Sequence, residues 1–477
     1  MDKNSAKQVF DIFRELNGVP RPSHNEGKAA DWLCAFAERL GLDYDRDGNN
    51  CVVIRKAATP GYEDHEPLVI LNHMDMVCVA DPGVEFDPDN DPIQAYVEDG
   101  WMKARGTSLG SDNGMGLSMA LAILQDDSIA HPALEVLATT NEEDGMSGAS
   151  GLSADFIKGR KVLNLDSEDY DTITVGAAGA YLQSHEIAYH SVPAPEGYCF
   201  FRLSVEGGLG GHSGVDINKG RGNSNKLLFA CIKSIADAMP LVIASVDGGQ
   251  ANASIASSSS AVIAVPADKA ADAVKAAEAF AAQLKAEYGQ SDPDLKALIT
   301  ETGACDEVIC DRAAAKLIQV ICDIPCGVVD PQGCDSETTP VTSNNIGIVR
   351  SNGSSVSITT HTRSFIDADM VALGERIKDI VDADTTLVMS APAWREDKDS
   401  DYLAMVSRTF EDVLGFAPKK VEMHFVLEAG YYVSKYPGIQ IASIGPKIVC
   451  PHSTKERVDI STVENIWEVV RRILPQM

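Results

Sequence analysis

The sequence predicts an α/β fold: a domain built on a mixed sheet flanked by helices, split by an inserted α+β domain. Three observations carry this. Short apolar runs alternate with helix-length amphipathic segments up to about residue 180, the pattern of strands joined by helices. Near Gln183 the texture changes to longer, alternating strands with hairpin signals, and beyond about residue 396 the α/β texture returns. The expected boundaries are 1–184 and 397–477 for the split domain and 185–396 for the insertion. At 477 residues the chain is long enough for more than one hydrophobic core.

Taken in order, an opening helix from about Ser5 to Asn17 stops at Gly18, and a second, Asn25 to Leu40, stops at Gly41, glycine being the usual C-terminal punctuation. Cys51 to Arg55 is a strand. Leu68-Val69-Ile70-Leu71 is a second, apolar without alternation and therefore buried on both faces. Tyr96–Glu98 and Trp101–Lys103 form a hairpin through Asp99-Gly100. A glycine-rich loop, Arg105 to Gly114, then opens into a helix from Met115 to Gln125. Leu134–Thr139 and Val162–Leu165 are further strands, each running out into carboxylates.

Within the insertion, strands at Ser184–Tyr189 and Phe201–Val205, a helix Ser224–Met239, a loop Gln250–Ser260, a strand Ala261–Val265 and a helix Asp268–Tyr288 make one α+β half. A helix Asp311–Cys322, a hairpin through Asn352-Gly353, a helix Ala368–Val381 and a strand Thr385–Ser390 make the other. The tail supplies a helix Asp401–Leu414, a strand Gly438–Ser443 and a last helix from about Ser461.

Composition excludes several functions. Forty Lys and Arg against seventy Asp and Glu leave a net charge of −30, which repels nucleic acid and acidic membrane surfaces. No stretch reaches the roughly 20 apolar residues of a membrane span, and the first residues lack the apolar core of a secretory signal. Eleven scattered cysteines, an odd number, fit free thiols in a reducing compartment, so a cytoplasmic location is expected.

The chemistry gathers at strand ends. His73 and Asp75 leave the same side of the strand that ends in Asn72-His73-Met74-Asp75. His73 with Asp112, Glu143, Asp166 and His452 makes a set of five imidazole and carboxylate donors suited to divalent transition metals, enough for two ions sharing one bridge. Asp112, in a glycine-rich loop that allows close approach, is the best bridge. Asp75 would orient His73 through the ring nitrogen that does not bind metal. Glu142 beside Glu143 divides the labour: one coordinates and its neighbour carries protons. Gly207 to Gly214 lacks the Gly-Lys-Ser/Thr ending of a phosphate loop, so nucleotide binding is not expected, and its glycines let the backbone approach closely and place His212 at an exposed tip.

These motifs, Leu71 to Val77, Gly110 to Gly114, Glu142 to Met146, Asn164 to Glu168 and Gly445 to Ser453, resemble the dinuclear-zinc metallopeptidases of the M20 family, and among them the aminoacyl-histidine (Xaa-His) dipeptidases. The resemblance covers nearly the whole chain. It implies a zinc-peptidase catalytic domain with an inserted lid, and two Zn2+, with Mn2+ or Co2+ as alternatives. His73 and Asp166 would hold one ion, Glu143 and His452 the other, with Asp112 bridging through a loop that carries a cis peptide at Asp112–Asn113. Glu142 would be the general acid/base and Asp75 the carboxylate behind His73. His212 would stabilise the oxyanion from the lid, in its own subunit or in a partner's within a homodimer formed through the lid. Asn345 and Arg363 resemble positions that hold the substrate's free carboxylate, and Glu428 one that receives its amino group.

The implied activity is hydrolysis of dipeptides, Xaa-His and related short peptides with free termini. An amidase acting on N-acyl amino acids, or a metal-binding protein without turnover, are the alternatives. Two departures fall where substrate is selected: Val426 replaces the family's glycine before Leu-Glu, and Asn252-Ala253-Ser254-Ile255-Ala256-Ser257 replaces its Asn-Ala-Ile-Pro-Arg segment.

Overall fold

A computed structural model describes residues 6–330 and 339–477. The chain forms two compact units: Met1–Gly176 with Trp394–Glu422 and Glu428–Met477, and Ala177–Ala393 with Met423–Leu427.

The first unit is organised by a nine-stranded mixed sheet. Its order is Asp43–Arg46, Val52–Lys56, Leu134–Thr139, Leu68–His73, Lys161–Asn164, Gln440–Ser443, Thr172–Ala177 and Trp394–Arg395, with Lys419–Met423 also on Thr172–Ala177. Leu68–His73 runs parallel to Leu134–Thr139 on one side and to Lys161–Asn164 on the other, and Gln440–Ser443 continues the parallel set. The flanking pairs are antiparallel. Every residue of Leu68–His73 and Leu134–Thr139 is buried, which is why these runs show no polar alternation.

The helix Ser111–Gln125 is buried from Ser111 to Leu124, a core helix apolar on all sides. It begins four residues earlier than Met115 because its first turn is interrupted: Asp112 and Asn113 carry non-helical backbone angles, and the peptide bond between them is cis. A pattern of apolar periodicity cannot extend through such a break. Elsewhere local signals suffice. Gly41 caps Gly27–Leu40 in the left-handed region, and Asp99-Gly100, both at positive φ, turn the hairpin Ala95–Glu98 to Trp101–Ala104. This hairpin joins Arg457–Asp459 and Ile448–Val449 in a small antiparallel sheet, which frames the loop between those two strands.

The second unit is built on a nine-stranded antiparallel sheet, ordered Lys296–Glu301, Tyr198–Glu206, Ser259–Pro266, Val242–Gly248, Thr342–Ser351, Ser355–Ser364, Gly179–Ala188 and Asp384–Ala391, with Gly327–Val328 also on Thr342–Ser351 and a separate two-stranded sheet of Ser191–Pro193 and Glu307–Ile309. Two halves meet where Val242–Gly248 pairs with Thr342–Ser351 through only Asp247↔Arg350 and Gly248↔Val349. Sequence order put the strand near residue 184 in the first half. The structure instead inserts Gly179–Ala188 between Ser355–Ser364 and Asp384–Ala391, in the second half. Non-local pairing decides this, and periodicity carries no information about it. No helix among the described residues is long and apolar enough to cross a membrane.

Candidate active site

Four neighbouring parallel strands of the first unit end on the same side of its sheet, and each releases a functional group there. Leu68–His73 ends in His73, Leu134–Thr139 leads to Glu142 and Glu143, Lys161–Asn164 to Asp166, and Gln440–Ser443 to the loop carrying His452. The carboxyl edge of parallel strands is where open α/β sheets place their ligands. Asp112 joins them from the start of the helix Ser111–Gln125.

The structure brings these five residues into two groups that share Asp112: His73, Asp112 and Asp166, and Asp112, Glu143 and His452. In each group the potential ligand atoms lie within 4.8 Å of one another. His73 Nε2 is 3.3 Å from Asp112 Oδ1 and 3.2 Å from Asp166 Oδ1. His452 Nε2 is 3.2 Å from Asp112 Oδ2 and 2.8 Å from Glu143 Oε2. The two oxygens of Asp112 therefore face different imidazoles, the arrangement a bridging carboxylate requires.

Negative charge is crowded here. Burial, reinforced by the charges of Asp112 and Glu143, pushes the Asp166 carboxyl up to about 7, and burial raises Glu143 as well. Burial and the charges of Asp112 and Asp166 push Glu168 up to about 8. Hydrogen bonds to Asp112 and Glu143 raise His452 to about 11. Burial opposes protonation of His73, yet the carboxylates of Asp166, Asp112 and Asp75 raise it well above its usual value. Glu143 Oε1 is buried without a hydrogen-bond partner, and His73 Nε2 is the one polar group beside the buried Asp166 Oδ1 among the described residues. Two imidazoles, three carboxylates and an orphaned carboxylate oxygen fit a pair of divalent cations, whose charge would relieve this crowding.

Asp75 stands behind His73, its Oδ1 3.5 Å from Nδ1, on the side away from Asp112. It also accepts hydrogen bonds from the backbone N–H of Glu142 and of Glu143, at 3.1 and 3.2 Å, and from Ser23 Oγ at 2.8 Å. One carboxylate thus orients an imidazole and the turn that carries two glutamates. The Glu142 side chain makes no hydrogen bond or ion pair among the described residues. Burial, with Asp166 and Glu428 nearby, raises its pKa well above the usual range. Glu428 is buried, accepts from Thr139 Oγ1 at 2.8 Å and leaves Oε1 unpartnered. Burial lifts it to about 8.

The second unit holds His212, Arg363 and Asn345. His212 Nδ1 accepts the backbone N–H groups of Gly214 and Val215, both at 3.2 Å, so the ring proton sits on Nε2. Burial and the Arg363 charge lower His212 to about 4, and it is neutral at pH 7. Arg363 is 3% exposed and makes no ion pair among the described residues. Its Nη2 lies 3.5 Å from His361 Nδ1, Nε has no partner, and burial lowers its pKa to about 10. His424, bonded through Nε2 to Ser343 Oγ at 2.8 Å, is lowered to about 3 by burial, with Arg363 and His212 adding to it. Asn345 is fully buried: Oδ1 accepts from Asn223, and Nδ2 donates to the Ser254 carbonyl. It thereby fastens the Asn252–Ser257 segment, which pairs with the His212 loop through His212↔Ser254 and Ser213 N–H to Ala253 O.

Several residues of these clusters had no role assigned from the sequence: Thr139, His361, Ser23, Arg21 and Glu456, and also Glu168 and His424, although these two lie within the Asn164–Glu168 and His424–Gly430 stretches. Glu456 lies four residues after His452, and Arg21 stands between two prolines ahead of Ser23. For Arg21 and Glu456 those proximities were the available signals.

A model of the peptidase family M20/M25/M40 matches residues 69–476. The cytosol non-specific dipeptidase of Escherichia coli (strain K12) is 32% identical over 477 residues, 99% of this chain and 98% of that protein. Among solved structures, aminoacylhistidine dipeptidase from Vibrio alginolyticus aligns with a TM-score of 0.90 at 31% identity, covering 98% of this chain and 96% of that one. Aminopeptidase PepT from Bacillus cereus ATCC 10987 shares the fold, with a TM-score of 0.56 at 16% identity over 98% of each chain.

Proposed function

We infer that this chain, which belongs to peptidase family M20/M25/M40, is a metal-dependent dipeptidase acting on short peptides with free termini, Xaa-His dipeptides among them. One observation carries the reading: two three-donor groups share Asp112 in a chain similar from end to end to a non-specific dipeptidase. His73, Asp166 and Asp112 would hold one ion, and Glu143, His452 and Asp112 the other. Zn2+ suits these nitrogen and oxygen donors, with Mn2+ or Co2+ as substitutes. When bound, the ion pair supplies a nucleophile at neutral pH and polarises the scissile carbonyl.

The chain's own groups do the rest. A carboxylate oxygen of Glu142, left free by its surroundings and raised in pKa, takes the proton of the attacking water and returns it to the departing amine nitrogen. Asp75 holds the His73 ring and the Glu142 backbone in place. The His212 Nε2–H donates to the carbonyl oxygen as charge develops on it. Arg363, between His361 and His424, takes the substrate's carboxylate, and Asn345 acts as the support that keeps Asn252–Ser257 against the His212 loop. Glu428 Oε1 takes the substrate's ammonium.

In this reading the split unit is the catalytic domain and the inserted unit a lid. Leu387 and Val388, 48% and 56% exposed on the edge strand Asp384–Ala391, support a homodimer through the lid. Free cysteines and the name of the Escherichia coli relative support a cytoplasmic location. Mixing His212→Ala with Glu142→Ala subunits restores activity if His212 serves a partner, and leaves the mixture inactive if it serves its own chain.

The deciding experiment is a panel of dipeptides, Xaa-His members included, together with N-acyl amino acids, run on zinc-reconstituted protein. Cleavage of dipeptides is expected. Cleavage of the acyl compounds alone would establish an amidase, and two bound ions with no turnover a binding protein.

A further inference from the structure

We propose that Arg21 and Glu456 are the positioning residues of the metal centre, each tying the Asp112 loop to one of its two flanks. The proposal rests on the dinuclear centre described above.

Arg21 is 1% exposed. Its Nη1 donates to the carbonyls of Met74 and Asp75 at 3.2 and 3.0 Å, and its Nη2 to the carbonyl of Gly110 at 2.6 Å. The guanidinium therefore joins the turn that follows His73 to the residue two before Asp112. A planar fork of donors spans two backbone segments in a way a single ammonium cannot. The packing allows nothing larger: a Cβ on Gly110 would come 2.5 Å from Nη2, and one on Gly114 2.6 Å from it. Both glycines of the Gly110–Gly114 stretch thus make room for one arginine. The strand-like pairing of Pro22 with Met76, and Ser23 on Asp75, hold the same segment in place.

Glu456 works on the other side and is 3% exposed. Its Oε2 accepts the backbone N–H groups of Leu109 and Gly110 at 2.8 and 3.0 Å. Its Oε1 accepts the N–H of Ser111 at 2.7 Å and of Asp112 at 3.4 Å, and the Ser111 hydroxyl at 2.6 Å. Successive N–H groups with a left-handed residue, here Gly110 at φ 67°, form an anion-binding concavity, and this one opens a helix whose first donors have no partner of their own. The protein fills it with its own carboxylate. Both oxygens of Asp112 are consequently spared from capping the helix and remain turned toward His73 and His452. Because Glu456 lies in the loop that bears His452, one side chain fixes the separation of Asp112 from that ligand.

The two clamps predict different losses. Arg21→Lys keeps the charge but not the fork and should loosen the His73–Asp166 side. Glu456→Gln replaces one accepting oxygen with a donor that faces N–H groups, and should loosen the His452–Glu143 side. Zinc is titrated into metal-free protein against a chromophoric chelator, with thermal melts of the metal-free forms in parallel. In each variant one of the two ions should be held about 10–100-fold more weakly, the range for partners that orient metal ligands. Glu456→Gln combined with His452→Ala should lose nothing further at the site His452 serves, whereas Arg21→Lys combined with His452→Ala should weaken both. Variants that melt at lower temperature yet bind both ions with wild-type affinity would overturn the proposal, making the residues structural only. Wild-type protein that binds no zinc would instead remove the centre itself, so the two failures are distinguishable.

Discussion

The two polar clusters of this chain are built with opposite signs. In the first unit Asp75, Asp112, Glu142, Glu143, Asp166, Glu168 and Glu428 crowd around His73 and His452, and burial holds several carboxyls well above their usual pKa. In the second unit a guanidinium sits among imidazoles that burial keeps neutral, with no carboxylate paired to it among the described residues. Arg21 and Glu456 are as deeply buried as either cluster, yet their charges are spent on backbone carbonyls and N–H groups. The contrast separates charges that the backbone satisfies from charges that it leaves to other partners. An unpaired buried charge costs stability and persists where something from outside completes it.

The largest expected effect breaks the acidic cluster without emptying it. Glu142→Gln should lower kcat by about 10²–10⁴-fold while metal content stays that of the wild type. Loss of an ion by elemental analysis would place Glu142 among the ligands instead.

The second cluster is broken by Arg363→Met. Removing one partner of a buried, hydrogen-bonded charge pair costs about 2–5 kcal/mol, so kcat/KM for a dipeptide should fall at least tenfold. The same change should raise the melting temperature, because an unpaired buried charge is replaced by an apolar chain. A lower melting temperature would mean that the guanidinium supports the fold.

Metal removal sharpens the difference. Ions that bind only the folded state stabilise it by about 2.7 kcal/mol at a hundred times their Kd, so a chelator should lower the melting temperature by several degrees. Arg363→Met should show the same chelator-induced shift as wild type, and a changed shift would couple the two clusters.

The last test concerns pH, one unit at a time. His185, buried between Thr385 and Thr360, is lowered to about 4 by burial. Its folded pKa lies below the unfolded value of 6.5, so the stability it contributes is present above pH 6.5 and is lost as pH falls toward 4. Over that window wild type should lose about 1.4 kcal/mol per pH unit for this one proton relative to His185→Gln in denaturant titrations. Parallel curves would show that the ring is already protonated in the folded state.

Much of this was legible beforehand for local reasons. Buried parallel strands read as unbroken apolar runs, so Leu68–His73 and Leu134–Thr139 stood out, as did the residues where they end. Gly41 and the Asp99-Gly100 turn are conformational requirements written into single positions. The broken first turn at Asp112 was not legible as a helix start, because its backbone departs from the helix there. Nor was the place of Gly179–Ala188, which depends on strands nearly two hundred residues further along the chain.

By itself the sequence determined the elements, their alternation and the chemical character of the groups at their ends, since caps, turns and periodicity act within a few residues. Only the tertiary structure decided which groups meet. His452 lies 340 residues from Asp112 and reaches it because Gln440–Ser443 pairs beside Lys161–Asn164. Arg21 and Glu456 acquire their parts the same way. Whether a buried charge is satisfied or left open depends on neighbours delivered by strand order, which no stretch of a few residues encodes.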